Sequence, residues 1–151
     1  MSKIIEICIT SKSGDSMLNR QIIEVVANKG IINDRYFSDE NKKDTQITII
    51  ESENIDYYNK ISNRKVPYIN FRRNIITKGI KLNQLVGKEI LLGKVKVKVH
   101  KLCDPCKELQ DLMKDKNFVK KFIDKGGLRC EILSNGNIST NDNIEVLNID
   151  L

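Results

Sequence analysis

In the segment KVKVKVHK, residues 94–101, charged or polar and apolar side chains alternate strictly as far as His100. Successive side chains of a β-strand point to opposite faces of a sheet, so a strand here would place Val95, Val97 and Val99 on one face. The lysines and His100 would share the other, wetter face. The segment therefore predicts a half-buried strand, and a chain that contains it must build a sheet.

Short β-branched runs of the same kind recur along the chain, separated by turn residues. Many short strands at regular spacing are typical of a barrel or a sandwich. Segment 89–102 predicts a hairpin that turns at Gly93, and SNGN at 134–137 predicts another turn. The other predicted strands are 3–10, 21–27, 45–50, 74–77, 128–133 and 144–147.

Three short helices are predicted between these strands, at 52–61, 104–113 and 117–124. In the second, Asp104 is expected to be the N-cap, because its carboxylate can accept a free backbone N–H. Pro105 then suits the first helical position, where its missing N–H costs nothing. The chain is therefore expected to be mainly β with a few short helices.

Length and composition favour one soluble globular domain, residues 1–151, with a single hydrophobic core. No apolar run approaches the roughly 20 residues that span a bilayer. The first strand contains Glu6 and is followed by no small-residue cleavage site, so we expect no signal peptide. Four cysteines without a secretion signal indicate thiols in a reducing compartment, so we expect a cytoplasmic protein with no membrane partner.

The net charge of +6 suits an anionic small ligand. The lysines are scattered, and the chain has no Trp and only four Phe and four Tyr. Nucleic-acid binders more often combine a basic stripe with interleaved aromatic residues, so the composition argues against that class of partner.

The segment HKLCDPCKEL, residues 100–109, holds most of the reactive chemistry. If the helix begins at Asp104, Cys106 occupies its second position. Free backbone N–H groups and the positive end of the helix dipole lie there, and both favour a thiolate over a thiol. Lys107 adds to this effect.

Four interpretations of this segment stay open from the residues alone. His100, Cys103, Cys106 and Cys130 together provide the ligand types of a tetrahedral zinc site. The C-x-x-C spacing is also that of a dithiol exchanger. A single activated thiolate at Cys106 would suit a soft metal centre held in a cofactor. The fourth interpretation is a pair of inert, buried cysteines.

Several segments, taken in order, resemble one family, the MOSC domain. GIINDRYF resembles its Gly-x-x-Gly-Asp-Arg segment, and NGNISTNDNIEV its closing Gly-x-Ile-x-x-Gly-Asp-x-Ile. LCDPCKEL resembles a Leu-Cys-x-Pro-Cys variant of the family's Pro-Cys pair. The matching segments are 30–37, 45–55, 71–93, 102–109, 125–133 and 135–146.

The resemblance implies a β-barrel that binds a molybdenum cofactor, a pterin dithiolene with a terminal phosphate. It implies that Cys106 is the molybdenum ligand or sulfur carrier, and so the one catalytic and metal-binding residue. Cys103 would be accessory to it. The other implied cofactor-binding residues are Asp34, Arg35, Arg72, Arg73, Asn74, Gly126, Gly127 and Arg129.

The implied function is cofactor sulfuration or transfer to a client molybdoenzyme, or reduction of N-hydroxylated compounds with a separate redox donor. The alternative function is a thiol-redox or zinc module that binds no molybdenum cofactor. Three residues depart from the family pattern. Asn33 and Asn141 replace glycines, and asparagine tolerates the left-handed backbone that such turns need. Cys130 replaces an alanine and is expected to be a small core residue.

Overall fold

The computed structural model describes residues 1–147, and strands dominate this part of the chain, which confirms the predicted mainly β fold. The helices are α1 (Ser52–Ser62), α2 (Lys107–Met113) and α3 (Phe118–Lys121), with 3₁₀ turns at Tyr68–Phe71 and Asn83–Leu85. The strands are β1 (Lys3–Ile9), β2 (Leu18–Asn19), β3 (Ile22–Val26), β4 (Gly30–Ile31), β5 (Ile47–Glu51), β6 (Ile75–Lys78), β7 (Glu89–Leu92), β8 (Val95–Leu102), β9 (Leu128–Ile132), β10 (Gly136–Ser139) and β11 (Ile144–Val146).

The main sheet has eight strands in the order β11-β7-β8-β9-β5-β6-β1-β2, and a smaller sheet has the order β10-β3-β4. The main sheet curls until its two ends approach each other. The segment before β11 bonds to β1, with the Ile4 N–H donating to the Asp142 carbonyl at 2.9 Å and the Asn141 N–H donating to the Ile4 carbonyl at 2.8 Å. This curled sheet is the scaffold for everything described below.

The predicted hairpin is present, with β7 and β8 antiparallel and the turn at Gly93, where φ is +62°. Val95, Val97 and Val99 are buried, as the alternation predicts. The pair β5 and β6 is parallel, and α1 lies in the connection between them, as parallel pairing requires.

Two hydrophobic clusters hold the fold together, and neighbouring strand residues contribute to opposite ones. Ile49 and Ile75 face the first cluster, whereas Ile50 and Ile76 face the second. The first, called the interior core, joins the two sheets: Ile4, Ile7, Ile9, Ile23, Val25, Ile31, Ile47, Ile49, Ile75, Leu82, Leu85, Ile90, Leu92, Val95, Val97, Val99, Leu128, Cys130, Ile132, Ile138 and Ile144. The second, called the helix-side core, lies beneath the helices: Cys8, Met17, Ile50, Ile55, Tyr58, Phe71, Ile76, Leu109, Met113, Phe118 and Phe122.

The sequence patterns located eight of the eleven strands to within two residues at each end, but they missed β2, β4 and β10. The strands β2 and β4 have two residues each, too few for alternation to be visible. The residues around 136 were predicted as a turn, although Gly136 begins β10. Asn33 and Asn141 have φ of 72° and 75°, so both asparagines adopt the left-handed conformation expected of them.

Candidate functional site

Cys106 is the N-cap of α2 and is exposed, whereas Cys8, Cys103 and Cys130 are buried. Its sulfur accepts the backbone N–H of Leu109 at 3.4 Å, so the thiol itself caps the helix. Among the four cysteines, Cys106 is therefore the one that an external ligand can reach without any opening of the core.

The prediction that Asp104 caps this helix is wrong, because α2 begins three residues later, at Lys107. The preceding residues stay non-helical because the Cys103 N–H donates to the Gly127 carbonyl at 2.7 Å, which holds them along the start of β9. Pro105 is consequently buried before the helix rather than inside it. Cys106 moves from the second helical position to the cap.

A pocket of about 120 Å³ brings Cys106 together with three arginines from distant parts of the sequence. Arg35 precedes β5 and Arg72 and Arg73 precede β6, so the curled sheet unites residues about 70 positions apart. A second pocket, of about 210 Å³, lies next to the first and shares Arg72 and Leu112 with it. The first pocket is lined by Ser13, Gly14, Arg35, Tyr36, Arg72, Arg73, Cys106, Glu108, Leu109 and Leu112.

Asp34 and Tyr36 fix the Arg35 guanidinium at this pocket. Its Nη1 is 3.4 Å from Asp34 Oδ1, and the guanidinium lies 4.4 Å from the centre of the Tyr36 ring. Its Nη2 donates to the Arg72 carbonyl at 3.0 Å. Burial raises the pKa of Asp34, while Arg35 and the N–H donors of Thr10 and Tyr36 oppose that rise. Asp34 thus acts from beneath the pocket, by holding Arg35.

Arg72 and Arg73 bond to main-chain carbonyls and, within residues 1–147, form no ion pair with a carboxylate. Arg72 Nη1 donates to the Asp15 carbonyl at 2.8 Å, and Arg73 Nε donates to the Gly126 carbonyl at 2.8 Å. Burial and the nearby positive charge of Arg35 lower the pKa of Arg72. Like charges this close favour an anion between them.

Gly126 and Gly127 hold the cysteine segment against the sheet. A Cβ atom at Gly126 would overlap the Cys103 carbonyl, and one at Gly127 would overlap the Ile49 carbonyl. Gly127 also has a φ of +94°, which side chains rarely adopt. Only glycine permits this close approach, so the pair positions the segment that carries Cys106.

Three predicted cofactor-binding residues lie elsewhere. Asn74 is fully buried, with its amide bonded to Thr48 and to the Cys8 carbonyl, so it ties β5, β6 and β1 together. Cys103 is buried and does not line the Cys106 pocket. Arg129 lies on β9 and does not line the Cys106 pocket.

The residues proposed for zinc are not gathered in one place. His100 Nε2 bonds to Glu131 Oε1 at 2.8 Å, on the face of β8 that the alternation predicted. Cys130, by contrast, is fully buried in the interior core, where burial raises the pKa of its thiol. In the part of the chain that the structure describes, no group of three His, Cys, Asp or Glu residues could hold a metal ion.

Sequence reasoning missed the loop that closes one side of the pocket. Ser13 and Gly14 line it, from the segment SKSGDS that follows β1. A polar Ser- and Gly-rich loop directly after a buried strand is the signal that could have found it. Glu108 and Leu112 were also missed, because the predicted helix began too early for their positions to be read correctly.

The fold is shared with several solved structures. YuaD from Bacillus subtilis superimposes with a TM-score of 0.83 at 16% identity, over 99% of this chain and 98% of that one. YiiM from Geobacillus stearothermophilus gives 0.80 at 16% identity, over 98% and 76%. YiiM from Escherichia coli gives 0.73 at 15% identity, over 99% and 71%. At these identities the likeness establishes the fold alone.

No helix within residues 1–147 has the length and apolar character needed to cross a membrane. Among curated proteins, none matches this chain in sequence. The sequence profile of the MOSC domain matches residues 34–145, which include Arg35, Arg72, Arg73 and Cys106. This match spans well over half of the chain, and the chain therefore belongs to the MOSC domain family.

Proposed function

We propose that this protein binds a molybdenum cofactor in the Cys106 pocket, with Cys106 as the metal ligand or the carrier of a transferable sulfur. One observation carries the proposal. The only exposed cysteine lines a pocket together with three arginines, of which Arg72 and Arg73 form no ion pair within residues 1–147.

The residues fit the chemistry of such a group. Thiolate sulfur is a preferred ligand of soft transition metals. Guanidinium groups bind phosphate in a planar, bidentate manner, and they keep their charge at any physiological pH. A ligand that carries both a soft metal and a phosphate would find a partner for each within one pocket.

The arginines would have separate tasks. Arg35 is fixed by Asp34 and the Tyr36 ring, so its donors are oriented before a ligand arrives. Arg72 and Arg73 would supply the positive charge that holds the phosphate. Gly126 orients Arg73 through its carbonyl, and therefore couples the cysteine segment to the anion-binding side of the pocket.

Cys106 would have its own task at the pocket edge. The Leu109 N–H donates to its sulfur at 3.4 Å, which orients the sulfur at the pocket, where it would bind a metal or carry a transferable sulfur atom. When bound, the cofactor would supply two-electron redox chemistry at its metal.

The family resemblance suggests two roles for such a site. One is to sulfurate or hand over the cofactor to a client molybdoenzyme. The other is to reduce N-hydroxylated compounds with electrons from a redox partner. Both roles need an exposed sulfur, a second protein and the bound cofactor. Because the two roles share the cofactor, its binding is the feature to test first.

The test is to purify the protein anaerobically from a host that makes the cofactor, and to measure metals and oxidatively released pterin. We expect one molybdenum and one pterin per chain. Zinc without pterin would favour the thiol-redox or zinc alternative. The absence of both molybdenum and pterin would contradict the proposal.

A pair of arginine variants tests the phosphate side of the pocket. The pterin content of Arg72→Gln should be about tenfold lower than that of wild type, because the loss of a charge-assisted contact costs roughly 1.5 kcal/mol. Arg20→Gln is the matched control, because Arg20 is exposed and lines a different pocket. Equal retention in both variants would show that Arg72 does not hold the cofactor.

A further inference from the structure

A second cationic basin lies at the opposite end of α2 from Cys106. It has a volume of about 530 Å³ and shares no lining residue with the Cys106 pocket. Since α2 has seven residues, about 10 Å of helix lies between Cys106 and the basin residue Lys114. The basin is lined by Ser62, Arg64, Lys114, Asp115, Lys116, Asn117 and Lys121.

Every side chain that lines this basin is polar or charged. Four are cationic and one is a carboxylate, and they come from the end of α1, the α2–α3 connection and α3. No apolar or aromatic wall is present among them. Such a lining can bind charged groups, but it offers no apolar surface against which an aromatic ring or an alkyl chain could pack.

The single carboxylate, Asp115, is already fully engaged. It accepts the Tyr58 hydroxyl at 2.7 Å and the Asn117 N–H at 3.0 Å, and its Oδ2 lies 3.2 Å from Lys121 Nζ. These contacts lower the pKa of Asp115, so it is ionised at neutral pH. It compensates the charge of Lys121, and Arg64, Lys114 and Lys116 have no ion-pair partner within residues 1–147.

Arg64 is also held in place before any ligand arrives. Its Nη1 donates to the Tyr58 hydroxyl at 2.9 Å, and its Nη2 donates to the Met113 carbonyl at 2.6 Å. A guanidinium fixed by neutral acceptors keeps its full charge and has donors left for an oxyanion. Little conformational entropy would be lost when such a ligand binds.

Lys114 occupies a position that normally favours glycine. It is the C-cap of α2, with a φ of 55° and a left-handed backbone. A lysine there costs on the order of 1 kcal/mol relative to glycine. This residue therefore places a cation at the rim of the basin at the expense of local stability.

We propose that this basin binds a multiply charged oxyanion, namely the phosphoryl groups of an oligophosphate. Three features favour a ligand of high negative charge density: the net positive lining, the pre-oriented Arg64 and the strained backbone of Lys114. The polar walls offer no surface on which a base or an acyl group would pack. The site is independent of the cofactor proposed for the Cys106 pocket.

The test is a calorimetric titration of the full chain with inorganic tripolyphosphate at low ionic strength. Wild type should bind, and the affinity should fall as salt is added. The double variant Lys114→Gly, Lys116→Gln should bind about tenfold more weakly, given two lost charge-assisted contacts at an exposed site. Its thermal stability should not fall, because glycine relieves the left-handed strain.

Two control variants make the result specific. Lys42→Gln, Lys43→Gln removes the same charge from exposed lysines elsewhere and should bind as wild type does. Arg72→Gln weakens any phosphate binding in the Cys106 pocket and should leave the basin's affinity unchanged.

Several results would overturn the proposal. They are the absence of tripolyphosphate binding in wild type, an equal loss in the Lys42, Lys43 control, or a loss that follows Arg72→Gln alone. ATP serves as a second probe and should bind no more tightly than tripolyphosphate. Much tighter ATP binding would show that the site recognises a base, which contradicts an all-polar oligophosphate site.

Discussion

The two sides of the central strands are packed with different chemistry. The interior core is aliphatic apart from Cys130, whereas the helix-side core is built around Tyr58, Phe71, Phe118 and Phe122. Their ring centres lie 5.1–6.1 Å apart, and Tyr58 meets each of the three phenylalanine rings edge to face. Backbone hydrogen bonds between strands hold the sheets around the interior core, so small branched side chains are enough to fill it. The helices have four to eleven residues and need large side chains to dock them.

The candidate site belongs to the helix side. Phe71 directly precedes Arg72, which caps the 3₁₀ turn with a φ of 64°. Leu109 and Met113 pack into the same core and hold α2, whose cap is Cys106. The curled sheet is thus the stable scaffold, and the pocket depends on the less regular layer above it. The predictions below test that division.

The largest effect is expected from Phe71→Ala. The side chain is fully buried, so its loss should lower the free energy of unfolding by about 3–5 kcal/mol. Hydrogen exchange should show that protection falls more in α2 and α3 than in β8 and β9. Val97→Ala is the interior-core comparison and should affect the strands first. Equal loss of protection throughout in both variants would contradict the division into two regions.

Gly126→Ala should lower the free energy of unfolding by about 2–3 kcal/mol, because the new Cβ overlaps the Cys103 carbonyl. Urea denaturation measures this change. Gly136→Ala is the matched control, since its nearest neighbour is a movable Val95 methyl group at 3.1 Å. The control should cost less than about 1 kcal/mol. Similar costs at both glycines would mean that the cysteine segment is not locked against Gly126.

A smaller effect, about 1 kcal/mol, is expected from Tyr58→Phe at neutral pH, because Asp115 and Arg64 lose a hydroxyl partner. The pKa of Asp115 is lowered chiefly by that hydroxyl, so its stabilising contribution is present above the unfolded pKa of about 3.9. That contribution disappears as the pH falls through the lower folded pKa. Wild type should therefore lose more stability than Tyr58→Phe as the pH is lowered below about 4.

Tyr57→Phe is the control for this comparison. Tyr57 is half exposed, and its hydroxyl has no hydrogen-bond partner within residues 1–147. Its removal should change neither the stability at neutral pH nor the acid response. Acid curves that superimpose for wild type and Tyr58→Phe would show that the hydroxyl does not stabilise the ionised Asp115.

Sequence predicted the scaffold well because alternation directly reports which face of a strand is buried. Segment 94–101 predicted the buried valines of β8. The left-handed backbone of Asn33 and Asn141 was expected because the family resemblance places glycine at both positions. The strands β2 and β4 were missed because two residues carry no measurable period. The strand β10 was missed because the turn signal of SNGN at 134–137 overlaps its first residues.

The site was predicted less completely, for physical reasons. The structure brings Cys106, Arg35, Arg72 and Arg73 together around one pocket, but it places Arg129 elsewhere. Asn74 is a buried link between strands, a role that depends on contacts distant in sequence. The start of α2 was misplaced because a contact from Gly127, distant in sequence, overrides the local capping signal of Asp104. Long-range contacts of this kind cannot be read from one segment.

The most direct test of the account compares molybdenum content in Cys106→Ser and Cys103→Ser, each purified anaerobically from a cofactor-producing host. Cys106 is exposed, so its variant should lose its molybdenum while its unfolding free energy stays within about 0.5 kcal/mol of wild type. Cys103 is buried, so its variant should be less stable and retain more of the metal. Unchanged molybdenum in Cys106→Ser would contradict the account, as would equal losses in the two variants, which would instead indicate a shared two-thiol site.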